Sequence, residues 1–236
     1  MTQLSDLLHE DSPTVQAIYA KHKEEGDKQL VRKYLGASII GHTCDRYLWY
    51  CYHVGVKEEI EGRIYRLFRT GELEEIRVVA ELELIGCEVH AFGENGEQFE
   101  VSALDDRFKG HLDGAVLGIP EAPKTWHVLE CKTHNDKSFN KLKKEGVYTS
   151  KPMHYAQMQV YMHLTGMTRA LYFAVNKNTD ELYTERVKYN NIHAEAYMRR
   201  AKDIIESEVP LDRCSSRPDY YECKYCSARE LCWGEK

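Results

Sequence analysis

The chain has 236 residues, 42% of them hydrophobic, with 16 tyrosines and a formal net charge of −6. That apolar content excludes intrinsic disorder, and the length suits one large domain or a domain with an appendage. The acidic balance excludes a uniformly basic nucleic-acid coat but leaves room for a local basic track.

The opening MTQLSDLLHEDSP lacks the basic and apolar regions of a secretory signal. No apolar run approaches the roughly 18 residues of a membrane span, so a cytoplasmic protein with no membrane partner is expected. SPTVQAIYAKHKEEG reads as a helix, with Ser12 as N-cap, Pro13 at the first position and Gly26 as the stop. TCDRYLWYCYH is expected to be helical with its aromatic residues partly buried. Arg63 to Ile85 keeps Ile64, Leu67, Phe68, Ile76, Val79 and Leu82 near a 3.6-residue period. Gly71 interrupts that helix at a cost of about 1 kcal/mol relative to Ala, which calls for a reason.

The period then changes to that of strands. CEVHAF, QFEVSAL, HLDGAVLGI and HVLECKT read as four short strands, the first two joined through GENGE as a hairpin. EAPKT is a loop, HYAQMQVYMHLTG a helix closed by Gly166, RALYFAVNK and ELYTERVKY a strand pair, and NNIHAEAYMRRAKDIIESE an amphipathic helix. There is no internal repeat. The order predicts a mixed α/β core.

HVLECKT carries the first chemical signal. Alternation puts Glu130 and Lys132 on one face of the strand and Cys131 on the other. Burying both charges is costly unless they pair or hold a metal. Asp113, in KGHLDGAV, lies where a neighbouring strand can bring its carboxylate to Glu130. Two carboxylates so placed repel unless a cation lies between them, and hard oxygen ligands suit Mg²⁺ or Mn²⁺. Lys132 can then orient a water or offset charge on a phosphorane-like transition state. The competing reading is a salt-bridged strand end.

With these residues and two flanking motifs, the chain resembles the PD-(D/E)XK nuclease superfamily. Asp113 matches the first acid and Glu130-Cys131-Lys132 the E-x-K, and Gln157-x-x-x-Tyr161 looks like the Q-x-x-x-Y helix of RecB-like enzymes. Gly71-x-x-x-Glu75 is similar to the first-motif helix of lambda-exonuclease-like relatives, although Glu72 and Glu74 are equally acidic neighbours. The resemblance implies a restriction-endonuclease-like core, a mixed central sheet flanked by helices. It implies Mg²⁺ held by Glu75, Asp113, Glu130 and the backbone carbonyl of Cys131, and a substrate phosphate positioned by Gln157 and Tyr161. His111 and His134 flank the acids without being expected to ligate. Lys137, Lys141, Lys143 and Lys144, in THNDKSFNKLKKEG, are either DNA-phosphate contacts or a solvated helix face.

Eight cysteines in a reducing compartment point to metal ligands or buried apolar side chains rather than disulfides. Cys51 and Cys87 sit among apolar residues and are expected to pack. Cys223-x-x-Cys226 followed by Cys232 is a metal-ligand pattern lacking a fourth partner. Spacing slightly favours Cys214 for a compact zinc site. A second resemblance, to iron–sulfur CRISPR-associated exonucleases and AddB-type nucleases, favours Cys44 and a 4Fe–4S cluster, with Zn²⁺ as the alternative.

The expected organisation is an N-terminal helical region carrying Cys44 (1–62), a nuclease core (63–208) and a cysteine-rich metal-binding tail (209–236) closing onto the N-terminal region. The expected function is that of a metal-dependent DNA exonuclease, with DNA and, by resemblance, a single-strand annealing protein as partners. The family setting implied is bacterial or phage DNA recombination. An endonuclease of the same superfamily and a non-catalytic DNA-binding scaffold are the competing readings. Oligomeric state is left open.

Overall fold

The computed structural model describes residues 12–30, 32–56, 59–93 and 96–234. The first eleven residues and the middle of the GENGE loop lie outside the described residues. Helix α1 (Pro13–Asp27) starts as its cap predicts, with Ser12 Oγ accepting from Val15 N and Pro13 at the first position. Gly26 proves to be a contact rather than a stop. It lies inside the helix, where a Cβ would come within 2.3 Å of the Tyr65 ring.

Strand β1 (Leu35–Gly36) and a 3₁₀ turn (Ala37–Ile39) lead into α2 (Asp45–His53) and the long α3 (Gly62–Leu84). On α3, Val78 and Leu82 are buried, whereas Phe68 and Ile76, assigned to the same stripe by periodicity, are half exposed. Then come β2 (Glu88–His90), β3 (Glu100–Ala103), β4 (Phe108–His111), β5 (Gly114–Leu117) and β6 (His127–His134). Helix α4 (Asp136–Ser150), broken at Gly146 (φ 72°), and α5 (Pro152–Thr165) cross over to β7 (Arg169–Asn176) and β8 (Leu182–Lys188). Helix α6 (Asn191–Glu206) and the short α7 (Tyr221–Lys224) and α8 (Arg229–Trp233) complete the chain.

The strands form two sheets, β2-β5-β6-β7-β8 and β1-β4-β3. In the larger, β6 and β7 run parallel and the other pairs antiparallel, which is the mixed sheet the element order implied. Two local expectations change. The segment read as one strand, HLDGAVLGI, is divided between the sheets: β4 ends at His111, the chain bends at Asp113, and β5 begins at Gly114. The predicted hairpin survives as a single bridge between Phe92 and Gln98, because β2 pairs with β5 and β3 with β4. A sequence pattern shows strand content, but the partner is chosen by which sheet can bury the side chains.

Alternation on β6 and β7 sends residues to two cores. Leu129, Cys131, Leu171, Phe173 and Val175 pack with Val78 and Leu82 of α3. Val128, Ala170, Tyr172 and Ala174 pack on the other side with α5 and α6. Helix α5 is buried on all sides from Tyr155 to Met162, as expected of a helix enclosed by protein, and Gly166 closes it in the left-handed conformation (φ 75°). Leu35, Ala37, Ile40 and Leu48 belong to the same cluster as Met158 and Tyr161, so the segment before residue 63 shares the central core.

The chain's ends meet through polar contacts. Trp49 Nε1 donates to Ser207 O (2.9 Å), Tyr50 Oη to Leu231 O (2.9 Å) and Thr43 Oγ1 to Glu222 Oε2 (2.6 Å). Arg200 on α6 reaches Asp45 and the carbonyls of Ile40 and His42. No described helix is long and apolar enough to cross a membrane.

Candidate active site

The register of β5 on β6 places Gly114 opposite Leu129, so the next pair along is Asp113 and Glu130. Asp113 Oδ2 accepts from the Cys131 backbone N–H at 2.8 Å, which fixes its carboxylate beside the strand. Lys132 Nζ lies 2.5 Å from Glu130 Oε1 and 3.6 Å from Asp113 Oδ2, and donates to the Cys131 carbonyl at 3.0 Å. The same-face arrangement of Glu130 and Lys132 is thus as alternation requires, and Cys131 turns its thiol into the α3-side core.

Glu130 is fully buried, and neither of its carboxylate oxygens has an aligned hydrogen-bond donor. The nearby ammonium supplies charge but not hydrogen-bond geometry. A buried carboxylate with free lone pairs is expensive in a folded protein. Burial, with Asp113 adding to it, pushes its pKa up to about 8 against the opposing pull of Lys132. Burial pulls Lys132 downward, but the Glu130 and Asp113 carboxylates outweigh it and hold the lysine well above its usual range.

Helix α3 brings Glu75 to the same place. Burial and the Asp113 charge raise its pKa to about 7. Its acidic neighbours border the same cleft but pair one turn away on the helix, Glu72 with Arg69 (2.7 Å) and Glu74 with Arg77 (3.5 Å). Of the three candidate acids, Glu75 is the one that senses Asp113 and Lys132. Gly71, Glu75, Lys132 and Lys177 border a cleft of about 350 Å³. A Cβ on Gly71 would meet nothing within 4 Å, so packing does not demand the glycine; it keeps the cleft wall low.

Gln157 and Tyr161 share a helix face as their spacing requires. Gln157 Nε2 donates to Tyr161 Oη (3.1 Å), which donates to the His111 carbonyl (2.8 Å). Tyr161 is almost fully buried, and a Cβ on Gly110 would come within 2.4 Å of its ring. It therefore anchors the end of β4, just before Asp113.

The four candidate lysines lie on or at the start of α4. Lys143 pairs with Glu181 and Lys141 with Glu145 (3.8 Å), while Lys137 and Lys144 are exposed. His111 is at an exposed strand end, 3.4 Å from Glu100. His134 continues the Glu130–Lys132 face but is turned into a polar network that sequence reasoning missed. Its Nε2 lies 2.9 Å from Tyr172 Oη, and His154 Nδ1 lies 2.7 Å from the same hydroxyl. His134 Nδ1 is 3.1 Å from Ser138 Oγ, which also contacts Lys151. Burial, with nearby lysines adding to it, lowers His134 to about 4 and His154 to about 3. The only signal for His154 was its position one turn before Gln157 on one helix face.

At the opposite end, Cys44, Cys214, Cys223, Cys226 and Cys232 all line one small cavity of about 20 Å³. Both contenders for the fourth position are present. Cys214 Sγ stands 3.9 Å from Cys223 Sγ and also interacts with Cys44, while Cys232 Sγ accepts from Arg213 Nε at 3.3 Å. Cys87 is buried and Cys51 half buried, both apart from this cavity. Among the described residues, no three His, Cys, Asp or Glu side chains form a ready-made metal cage, at this end or at the acidic cleft.

A mixed sheet whose central strand ends in a buried acid and a lysine, with helices on both faces, defines a restriction-endonuclease-like α/β fold. The chain belongs to the PD-(D/E)XK nuclease superfamily, whose family model matches residues 14–233. The solved structure of SSO0001 is similar with a TM-score of 0.53 at 15% identity, covering 94% of this chain and 98% of that one. An alkaline exonuclease from Laribacter hongkongensis, LHK-Exo, has a TM-score of 0.53 at 17% identity, covering 80% and 90%. Its complex with dAMP gives the same TM-score at 16% identity. At such identities the likeness is one of fold. No curated protein matches the chain.

Proposed function

We propose that the protein is a Mg²⁺- or Mn²⁺-dependent DNA exonuclease. The observation that carries this reading is Glu130, a fully buried carboxylate beside Asp113 whose one close partner is the Lys132 ammonium, 2.5 Å from Oε1. Its donor set fits a hard divalent cation: Glu75, Asp113, Glu130 and the Cys131 carbonyl would hold it. When bound, the ion would supply Lewis-acid polarisation of the phosphate and a water of lowered pKa. The residues do the rest. Asp113, pinned by the Cys131 N–H, stays oriented without moving, and Lys132 holds positive charge where a phosphorane accumulates negative charge. Gln157 is the group left to meet a phosphate. Tyr161, whose hydroxyl donates a hydrogen bond to the His111 carbonyl, fixes the bend that carries Asp113.

End-dependent cleavage is favoured over internal cleavage by likeness to LHK-Exo, an alkaline exonuclease solved with a mononucleotide, dAMP. A non-catalytic scaffold is disfavoured because Asp113, Glu130 and Lys132 are all retained in contact. Phage or bacterial recombination, with a single-strand annealing partner, is the setting we assign by family resemblance. Purified protein with Mg²⁺ should release nucleotides from end-labelled linear DNA and leave covalently closed circles intact. Nicked or linearised circles would make it an endonuclease, and inert linear DNA would reject both nuclease readings.

For the cysteine end we propose a structural thiolate centre, 4Fe–4S or Zn²⁺, that ties residues 1–62 and 209–236 across the core. The chemistry of five convergent thiols suits soft metals. Cys44, Cys223, Cys226 and Cys232 are the ligands favoured by resemblance, with Cys214 the alternative that stands nearest Cys223.

A further inference from the structure

Phe68 lies on α3 one turn before Gly71 and borders two openings at once. On one side is the acidic cleft; on the other is a groove of about 340 Å³ between the end of α1, β1 and α3. Arg32, Tyr34, Ile39, Tyr65 and Phe68 line this second groove. Its aromatic floor is rigid. Tyr65 is backed by Gly26, donates to Asp27 Oδ1 at 3.1 Å, and meets Phe68 edge-on with centroids 6.1 Å apart. The Arg32 guanidinium sits 5.9 Å above the Tyr34 ring, and no carboxylate pairs with it among the described residues. Phe68 is 50% exposed. It therefore offers an aromatic face to water on the helix that also carries Glu75.

We propose that this groove holds an unpaired base of the DNA strand that enters or leaves the cleft, with Arg32 on its phosphate. The inference rests on the nuclease reading and adds a substrate form to it: single-stranded at this point. A duplex keeps its bases stacked inside and would present phosphates only, whereas aromatic rings beside a guanidinium that no described carboxylate pairs suit a splayed nucleotide. The volume falls within the usual range of about 300–1,000 Å³ for small-ligand pockets. An apolar peptide would leave Arg32 without a partner. Continuity with the cleft through Phe68 also favours the strand.

The test is binding of an oligothymidylate of about twelve nucleotides carrying one 2-aminopurine, in EDTA to prevent cleavage. Anisotropy and 2-aminopurine quenching are read for wild type, Tyr34→Ala, Tyr34→Leu, Tyr34→Phe and Arg32→Gln, each checked for an unchanged melting curve. Tyr34→Ala and Tyr34→Leu should weaken binding about tenfold and relieve quenching, while Tyr34→Phe retains both. Arg32→Gln should flatten the log affinity against log salt slope by about 0.7, one phosphate contact on a single strand. Tyr34→Leu binding like wild type would show that stacking is not involved, and unaltered binding in Tyr34→Ala and Arg32→Gln would reject the groove. A loss of dimer in these variants with unchanged oligonucleotide affinity would assign the groove to a second copy and overturn the proposal. Wild-type hydrolysis of thymidine 5′-p-nitrophenyl phosphate with Mg²⁺, a substrate with a single base, reports the nuclease reading separately. If that reaction and oligonucleotide binding are both absent in wild type, the nuclease reading fails; if both are present and the variants match wild type, only the groove inference fails.

Discussion

The acidic cleft and the cysteine end are built in opposite ways. Beside the cleft, backbone register does the positioning: Asp113 and Glu130 face each other because β5 and β6 pair as they do, and a main-chain N–H holds Asp113 in place. Around the cysteines, two short helices and loops are held by side chains reaching across the chain, such as Tyr50 to Leu231 and Thr43 to Glu222. The cleft also carries a cost that the cysteine end does not, since Glu130 is buried without a hydrogen bond. A sheet with cores on both faces can sustain such a cost, and an end of the chain made of short elements cannot hold itself without cross-links. Catalysis should therefore depend on a few atoms at the cleft, and stability on contacts at the other end.

The largest effect expected is at the cleft. Glu130→Gln and Asp113→Asn should each lower Mg²⁺-dependent release of nucleotides from linear DNA by at least about a thousandfold, some 4 kcal/mol in barrier, while thermal melting stays cooperative. Cleavage at the wild-type rate in Glu130→Gln would remove the cleft from the comparison altogether. Next comes the seam between the ends. Arg200→Ala leaves Asp45 and two carbonyls without their donor and should cost about 2–4 kcal/mol of stability, read by denaturant unfolding. Cys226→Ser should remove bound zinc or iron and lower the melting temperature by about 5 °C or more, with cleavage per folded molecule unchanged. Metal lost with Cys214→Ser but kept with Cys44→Ser would make the centre local to the tail and dissolve the proposed link between the ends. Glu75→Ala should reduce cleavage by at least about tenfold, or ~1.4 kcal/mol; a smaller change demotes it to a cleft-wall residue.

The smallest effect is a pH dependence. His134 and His154 have lowered values, about 4 and 3, so they stabilise the fold above the unfolded value near 6.5 and lose that stability as pH falls. Glu75 and Glu130 have raised values, about 7 and 8, so they stabilise at low pH and lose that stability as pH rises from about 4.5. Between about pH 4.5 and 6.5 the two slopes oppose each other, and the metal-free protein should show nearly flat stability. His154→Gln removes one rising slope, so its stability in EDTA should decline with pH across that window. An increase with pH in that variant would show that the carboxylates are ordinary.

Much of this was legible in the sequence because the relevant signals are local. Alternation put Glu130 and Lys132 on one face, a helical turn linked Gln157 to Tyr161, and a cap at Ser12 with proline at the next position started α1. The E-x-K motif is legible for the same reason: it needs a strand period and nothing else. Where the sequence misled, the deciding contact was distant. Gly26 looked like a helix stop, but Tyr65 packs against it from α3. HLDGAVLGI looked like one strand, yet its halves join different sheets at the bend that aims Asp113.

What the sequence by itself determined is which residues can carry chemistry and which element each sits on, since propensity, capping and alternation act over a few residues. Tertiary structure alone decided among equals. It set Glu75 beside Asp113 and Lys132, which come from other elements. It directed the Tyr161 hydroxyl to the His111 carbonyl, gathered His134, Tyr172 and His154 into one network, and brought Cys44 from one end of the chain and Cys214 from the other to the same cavity. Those choices depend on pairing partners far apart in the chain, and the distance between them is closed only when sheets and helices bury their apolar faces together.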